Sequence, residues 1–145
     1  PERLTYAGRL DKDSEGLILL TNDGDLINAM MRGANRHEKE YIVKTDREIT
    51  PDFLEKMAKG IYLKDLDITT RECEIEQIGK FTFRIVLTQG VNRQMCEACG
   101  YRVKALKRIR IMNILLGDLK PGKWREVTGE ELEQLQRDTG MLNRN

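Results

Sequence analysis

Asp11 is the residue of this chain best placed to do chemistry, because it lies close to Arg9 and just before an apolar run. Residues 17–20 are all apolar and follow Gly16, a pattern that predicts a buried strand. Asp11 would then lie on irregular chain that is anchored to a rigid element, where functional groups are often found. An aspartate is ionised at neutral pH, so it can act as a nucleophile without an activating base. A nearby guanidinium favours the same charged form.

The rest of the residue inventory argues against several other mechanisms. The chain has one serine, Ser14, and one histidine, His37, and neither lies in a recognised nucleophile turn, which disfavours a serine–histidine–acid triad. It also lacks the GxGxxG and GxxxxGK[ST] patterns that bind dinucleotides and nucleotide phosphates. Hydrolase, dinucleotide and P-loop functions therefore have no support.

The cysteines favour a structural role over a chemical one. Their number is odd, at three, which argues against a disulfide scaffold and suits a reducing compartment. Cys96 and Cys99 form one CxxC pair inside a predicted helix, and zinc would need two more ligands, from Cys73 and His37 at best. We expect a half-buried helical pair and no metal, and we keep a thiol or zinc protein as a distant alternative.

Length and composition predict one compact domain. The chain has 145 residues, of which 39% are hydrophobic and 34% charged, enough to bury a core. Its apolar runs are far shorter than a membrane span, and no signal peptide opens it. We therefore expect a soluble, cytoplasmic protein with no membrane partner. The net charge is only +1, but residues 101–110 carry five basic side chains and no acid, so the positive field is local.

Helices and hairpins alternate along the chain. The predicted helices follow a capping residue or end at glycine, and the predicted strands alternate apolar and polar residues. In chain order we predict a helix that follows Asp23-Gly24 and stops at Gly33, a strand at 40–45, a helix at 51–59, and strands at 73–78 and 81–87. A helix at 94–99, strands at 103–112 and 124–127, and a helix from a capping box at 128–131 follow. This order predicts an α+β fold with a mixed, mainly antiparallel sheet flanked by helices.

The predicted strand at 103–112 carries the basic residues. Strict alternation places Lys107 with Ile109 on one face, and Arg108 with Arg110 on the other. Two neighbouring arginines suit contact with phosphates, although a solvated strand face has the same pattern.

Three segments resemble the ribosomal pseudouridine synthases of the RsuA/RluB/RluE/RluF family. Arg-Leu-Asp at 9–11, followed by Gly-Leu-Ile-Leu-Leu-Thr-Asn-Asp-Gly at 16–24, is similar to the active-site motif of that family. Residues 38–43 resemble its second motif, and residues 108–113 resemble its F-type members in particular. The resemblance covers roughly residues 3–135 and implies the pseudouridine synthase fold.

The family resemblance assigns roles to individual residues. It implies that Asp11 is the catalytic group and acts on a uridine within RNA, and that Arg9 fills the space left by the extruded base. Tyr41 would pack against the target base, whereas a lone tyrosine in a strand is more often a core residue. The third motif implies substrate contacts for Asn92, Arg93 and Gln94, and the basic strand implies RNA contacts for Lys107, Arg108 and Arg110.

The resemblance also implies partners and organisation. We expect a monomer that acts on 23S ribosomal RNA in the cytoplasm, with no cofactor and no metal. Relatives carry a small S4-type RNA-binding domain before a catalytic domain that begins upstream of Pro1. Residues 1–145 would then be one catalytic domain of a longer protein.

The third motif is the point at which the resemblance fails. The family reads approximately Asn-Arg-Gln-Ile-Arg-Arg-Met-Cys-Glu, whereas this chain passes directly from Gln94 to Met95, so three residues and two arginines are absent. In the family, an arginine of that piece pairs with the catalytic aspartate. We expect that a stretch of the natural chain is missing from the sequence between Gln94 and Met95. A genuine deletion would instead predict a weak or inactive enzyme, and it leaves open a non-catalytic RNA-binding module with the same fold.

Overall fold

A computed structural model describes residues 4–7, 9–34 and 36–141, and its elements confirm the predicted α+β class. The helices are α1 (Gly24–Arg32), α2 (Pro51–Lys59), α3 (Asn92–Ala98) and α4 (Gly129–Asp138). The strands are β1 (Thr5–Tyr6), β2 (Glu15–Gly16), β3 (Leu20–Thr21), β4 (Lys39–Thr45), β5 (Tyr62–Leu63), β6 (Ile68–Thr69), β7 (Glu74–Gly79), β8 (Thr82–Leu87), β9 (Val103–Ile111) and β10 (Ile114–Leu115).

The main sheet has the strand order β10-β9-β4-β8-β7. The short strand β2 also pairs with β9, on the edge that faces away from β4. The β2–β9 pair is parallel and the other pairs of this sheet are antiparallel, as predicted for a mainly antiparallel sheet. The predicted hairpin is confirmed, because β7 pairs with β8. Two short ribbons, β1–β3 and β5–β6, lie outside the sheet.

The inner face of the sheet packs against α2 and α3. Tyr41 and Val43 share this face, as the alternation of β4 predicts, and both are buried. The first core cluster consists of Tyr41, Val43, Ile49, Phe53, Met57, Leu63, Phe83, Ile85, Leu87, Met95, Cys96 and Leu106.

A second cluster lies where β9 and β10 meet α1 and α4. It consists of Ala7, Leu17, Leu26, Met30, Ile111, Met112, Ile114 and Leu135. The segment that carries Asp11 leaves this cluster at Ala7 and returns to it at Leu17. No helix in the described part of the chain is long and apolar enough to cross a membrane.

Two predicted helix starts are confirmed by their caps. Asp23 Oδ1 accepts a hydrogen bond from Asp25 N at 2.9 Å at the start of α1. At the start of α2, Thr50 Oγ1 accepts one from Phe53 N at 3.1 Å, and Pro51 occupies the first turn. Each side chain satisfies a backbone donor that the helix leaves unpaired.

Two predictions near the chain ends are wrong. The apolar run 17–20 is not one buried strand: Leu17 is buried, but Ile18 and Leu20 are 41% and 52% exposed, because the run alternates between the core and solvent. Residues 124–127 form no strand.

The capping box predicted at the start of α4 does not form. Thr128 occupies the cap position without a side-chain hydrogen bond. Glu131, the other half of the predicted box, instead accepts two hydrogen bonds from Arg125, at 2.7 and 2.9 Å. A bidentate pair with an arginine is stronger than the single hydrogen bond to a backbone N–H that it replaces.

Candidate active site

Asp11 lies on a surface loop, residues 9–17, which we call the Asp11 loop. Its backbone turns at Asp11, where the Asp11 carbonyl accepts a hydrogen bond from Ser14 N at 3.0 Å. The side chain of Asp11 is exposed. The loop therefore presents the carboxylate to solvent on irregular chain next to β2, as the sequence predicts.

The side chain of Arg108 anchors the Asp11 loop through hydrogen bonds to its backbone. Its Nε donates to Leu17 O at 2.9 Å and its Nη1 donates to Arg9 O at 2.8 Å. These bonds tie the two ends of the loop to one guanidinium. Arg108 is only 2% exposed, so the loop rests on a buried positive charge.

The backbone of the loop also approaches β9 closely. Gly16 pairs with Arg108, and Leu17 N donates to Arg108 O at 2.8 Å. A Cβ atom on Gly16 would lie 2.2 Å from Arg108 O, and the φ angle of Gly16 is +116°. Only glycine fits this conformation and this contact without a backbone shift.

We expect the substitution Gly16→Ala to lower the free energy of unfolding by at least about 2 kcal/mol, because it adds positive-φ strain to a backbone clash. Urea denaturation of the variant measures this change. Gly90→Ala is the matched control, because a Cβ there meets nothing within 4 Å. Equal stability of the Gly16→Ala protein and the parent would contradict the described contact.

Asp11, Tyr41 and Arg108 come together from three separate segments. Tyr41 and Arg108 are cross-strand partners of β4 and β9. Burial raises the pKa of Tyr41, the Arg108 guanidinium opposes that shift, and the nearby Asp11 carboxylate adds to it. Burial lowers the pKa of Arg108, and the charges of Tyr41 and Asp11 oppose that change. The carboxylate thus lies within electrostatic reach of both side chains.

The residues of the predicted third motif lie on α3, beside the Asp11 loop. The Arg93 side chain donates to Asp13 O at 3.0 Å and to Ser14 Oγ at 3.4 Å, so it contacts the loop. Asn92 is 3% exposed, and its Oδ1 accepts no hydrogen bond within the described residues. Gln94 is exposed. The third motif therefore reaches the loop through Arg93.

The Asp11 carboxylate itself is left open. Of the arginines in the part of the chain that the structure describes, none forms an ion pair with it. Gln94 and Met95 are consecutive residues of α3, with Met95 N donating to Val91 O at 3.0 Å. Arg9 is also exposed. The site is thus accessible from solvent at its reactive atoms.

The predicted pairing of Arg108 with Arg110 on one face is wrong. Tyr41 pairs with Arg108 but Glu40 pairs with Arg110, so β9 has one extra residue, Ile109, between them. This β-bulge turns Arg108 to the inner face and Arg110 to the outer face. The alternation of residues in the sequence does not reveal the bulge. The prediction based on it therefore did not place Arg108 in the site.

The outer-face arginine has partners within the protein. Arg110 Nε donates to Glu40 at 2.8 Å and Arg110 Nη1 donates to Met112 O at 2.7 Å. Lys107 is exposed. The expected contacts of Lys107, Arg108 and Arg110 with RNA stay predictions. The guanidinium groups of Arg108 and Arg110 already form hydrogen bonds within the protein.

The cysteines form no site in the described residues, where no group of three or more His, Cys, Asp or Glu side chains could hold a metal ion. Cys96 is fully buried and Cys99 is partly buried. Burial raises the pKa of Cys96 to about 12 and that of Cys73 to about 11. Neither thiol is activated as a nucleophile.

We expect the Cys96 thiol to stay unmodified by a disulfide reagent at neutral pH until the protein unfolds, because it is buried and protonated. A thiol titration before and after addition of guanidinium chloride measures this. Cys99, which is less buried, serves as the internal comparison. Rapid modification of Cys96 in the folded protein would revive the thiol interpretation.

The chain belongs to the RNA pseudouridylate synthase family, whose model matches residues 1–111. It is 48% identical over 137 residues to the dual-specificity RNA pseudouridine synthase RluF of Escherichia coli K12, covering 92% of this chain and 47% of that protein. It is 36% identical over 140 residues to the ribosomal small subunit pseudouridine synthase A of Vibrio parahaemolyticus, covering 92% and 60%.

A solved structure agrees with the sequence relatives. The crystal structure of a pseudouridylate synthase superposes with a TM-score of 0.85 at 29% identity, covering 91% of this chain and 59% of that one. The predicted family and fold are therefore confirmed. The chain spans about half the length of the RluF relatives that it matches.

Proposed function

We propose that this chain converts a uridine of 23S ribosomal RNA to pseudouridine, with Asp11 as the nucleophile and without a cofactor. The observation that carries the proposal is the convergence of Asp11, Tyr41 and Arg108 around one exposed carboxylate. Family membership supplies the reaction class. The geometry supports a role for this particular aspartate.

The reaction is an isomerisation, so it needs no second substrate. The bond between uracil N1 and ribose C1′ breaks, a bond from C5 to C1′ forms, and the hydrogen of C5 is replaced by one on N1. The Asp11 carboxylate either adds to the uracil ring or assists departure of the base from C1′ by covalent catalysis. Both routes use an ionised carboxylate that the target uridine can reach, and the exposure of Asp11 supports both.

The target uridine has to leave its stack to reach Asp11. We assign Tyr41 to the floor beneath the base, because the Asp11 carboxylate lies within electrostatic reach of its side chain, and Arg9 to the space that the base vacates. Asn92, Arg93 and Gln94 would contact the substrate from α3, the side from which Arg93 already touches the loop. The RNA itself would close the open side of the site and trap the detached base.

We assign Arg108 a role at the catalytic aspartate, whereas the sequence predicted only a contact with RNA. The family arginine that pairs with the catalytic aspartate is absent from this chain, and Arg93 is engaged with the loop backbone. Arg108 is the buried cation whose field reaches Asp11. We therefore assign it as a positioning residue that supplies the compensating positive charge and holds the loop in place.

The choice of RNA follows from the relatives. The chain is more similar to the RluF proteins than to the small subunit synthase A, and the resemblance of residues 108–113 to F-type members points the same way. This supports a large-subunit target. We propose in addition a cytoplasmic location and action as a monomer.

The experiment is to incubate the full-length protein with unmodified transcripts of 23S and 16S ribosomal RNA. Pseudouridine is then mapped by carbodiimide treatment and primer extension. We expect enzyme-dependent stops on the 23S transcript alone. Stops only on the 16S transcript would contradict the assigned substrate, and no stops on either would contradict the activity.

A non-catalytic RNA-binding module is the second candidate. The observation that favours it is the shortened third motif: the alignment with RluF is 137 positions long but covers only 92% of this 145-residue chain, so this chain lacks a few of those positions. Tight RNA binding with no pseudouridine in the same assay would favour this candidate.

A further inference from the structure

An exposed tryptophan lies outside the active site, on a loop with no helix or strand. We call residues 117–127 the Trp124 loop. Trp124 is 78% exposed, more than any other large apolar side chain of the described residues. Tryptophan is normally well buried, so an indole held in solvent is an informative exception.

The loop is held in place although its indole is exposed. Arg125 donates to both carboxylate oxygens of Glu131, at 2.7 and 2.9 Å, and to Leu115 O at 3.1 Å. Lys123 N donates to Lys120 O at 3.0 Å and closes a turn just before Trp124. The backbone on either side of the tryptophan is therefore restrained, which lowers the entropy cost of ordering the loop on a ligand.

Basic side chains lie next to the indole in the sequence. Residues 120–124 carry Lys120 and Lys123 and no acid, and both lysines are exposed. The charge of the adjacent Arg125 is neutralised by Glu131. The acids Asp118 and Glu126 precede and follow this stretch in the sequence. An exposed aromatic ring that follows two exposed lysines is a combination that binds single-stranded nucleic acid, because bases stack on the ring and phosphates contact the charges.

The loop begins beside the Asp11 loop. Leu17 N donates to Arg108 O and Leu116 N donates to Ile109 O, which are neighbouring carbonyls on the same edge of β9. Leu17 belongs to the second core cluster, and Leu116 packs against that cluster. The end of the Asp11 loop and the start of the Trp124 loop are therefore neighbours on β9.

We propose that the Trp124 loop binds unpaired nucleotides that flank the target uridine, with a base stacked on Trp124 and phosphates at Lys120 and Lys123. This inference rests on the proposed function, because it takes RNA as the substrate. It adds a recognition surface outside the catalytic loop.

Trp124 is the only tryptophan of the chain, so its intrinsic fluorescence reports on this loop alone. The protein is titrated with a uridine-rich RNA single strand and with a duplex of the same sequence, while the anisotropy of end-labelled RNA measures binding independently. We expect saturable quenching by the single strand, with the midpoint that anisotropy gives. The duplex should quench weakly.

The matched variants are Trp124→Ala, Trp124→Phe and Ile78→Ala. Loss of one stacked base should weaken binding of the single strand by roughly 5- to 150-fold in Trp124→Ala, and Phe should restore most of it. Ile78 is 50% exposed on β7, at the opposite edge of the sheet, and its variant should bind like the parent. Removing Lys120 and Lys123 together should reduce the slope of the logarithm of the binding constant against the logarithm of salt concentration by about 1.4 in magnitude.

The outcomes separate this inference from the proposed function. Binding of RNA with unchanged tryptophan fluorescence and unchanged affinity in Trp124→Ala would overturn the inference and leave the catalytic proposal standing. Quenching that depends on protein concentration without RNA would overturn it in favour of self-association. Quenching and binding without pseudouridine formation would support the RNA surface and contradict the proposed reaction.

Discussion

Substitution of Asp11 by asparagine is expected to lower the rate of pseudouridine formation by roughly 10³-fold or more, the scale of effect seen when an enzyme loses its nucleophile. The amide keeps the shape of the side chain but cannot act as an anionic nucleophile. Because Asp11 is exposed and forms no ion pair within the described residues, the fold and the affinity for RNA should change little. Single-turnover kinetics with excess enzyme measure the rate, and labelled-RNA binding measures the affinity.

Asp13→Asn is the matched control for this prediction. Asp13 lies on the same loop and is also exposed, and its contact with Arg93 uses the backbone carbonyl, which the substitution keeps. We therefore expect nearly normal rates from this variant. Similar losses in the two variants would show that the charge of the loop matters and that Asp11 has no special role.

Substitution of Arg108 by methionine is expected to affect both stability and catalysis. Methionine fills similar space but leaves the carbonyls of Leu17 and Arg9 without their donors, which should lower the free energy of unfolding by about 2–5 kcal/mol. The loop that carries Asp11 would lose its support, and a displacement of about 1 Å can cost on the order of 10²-fold in rate. Chemical denaturation and single-turnover kinetics measure the two effects.

Two further variants separate the charge of Arg108 from its hydrogen bonds. Arg108→Lys keeps the positive charge beside Asp11 but cannot donate to both ends of the loop at once, so we expect intermediate stability and activity. Lys104→Met removes an exposed charge from the same strand and should behave like the parent. Normal activity of Arg108→Met would contradict the positioning role.

The sequence predicted the features that depend on neighbouring residues. The cap at Thr50, the β7–β8 hairpin and the alternation of β4 are local patterns, and the structure confirms them. The Asp11 motif was recognisable for the same reason, because its residues are consecutive. Local chemistry is readable without knowledge of the fold.

The sequence could not predict features set by distant pairing. The bulge at Ile109 follows from the register of β9 against β4, whose residues are far apart in the chain. Strict alternation therefore placed Arg108 with Arg110, and it missed the guanidinium beneath Asp11. The prediction of a buried strand at 17–20 was wrong for a similar reason, because β1, β9 and the second core cluster decide which side chains of this run are buried.

The most direct test of the central claim is a nucleoside balance. The full-length protein and its Asp11→Asn variant are incubated with unmodified 23S transcript, which is digested and quantified by mass spectrometry. We predict that the parent forms one pseudouridine for each uridine lost, with no free uracil, and that the variant forms essentially none. Equal pseudouridine formation by the two proteins would contradict the assignment of Asp11 as the nucleophile.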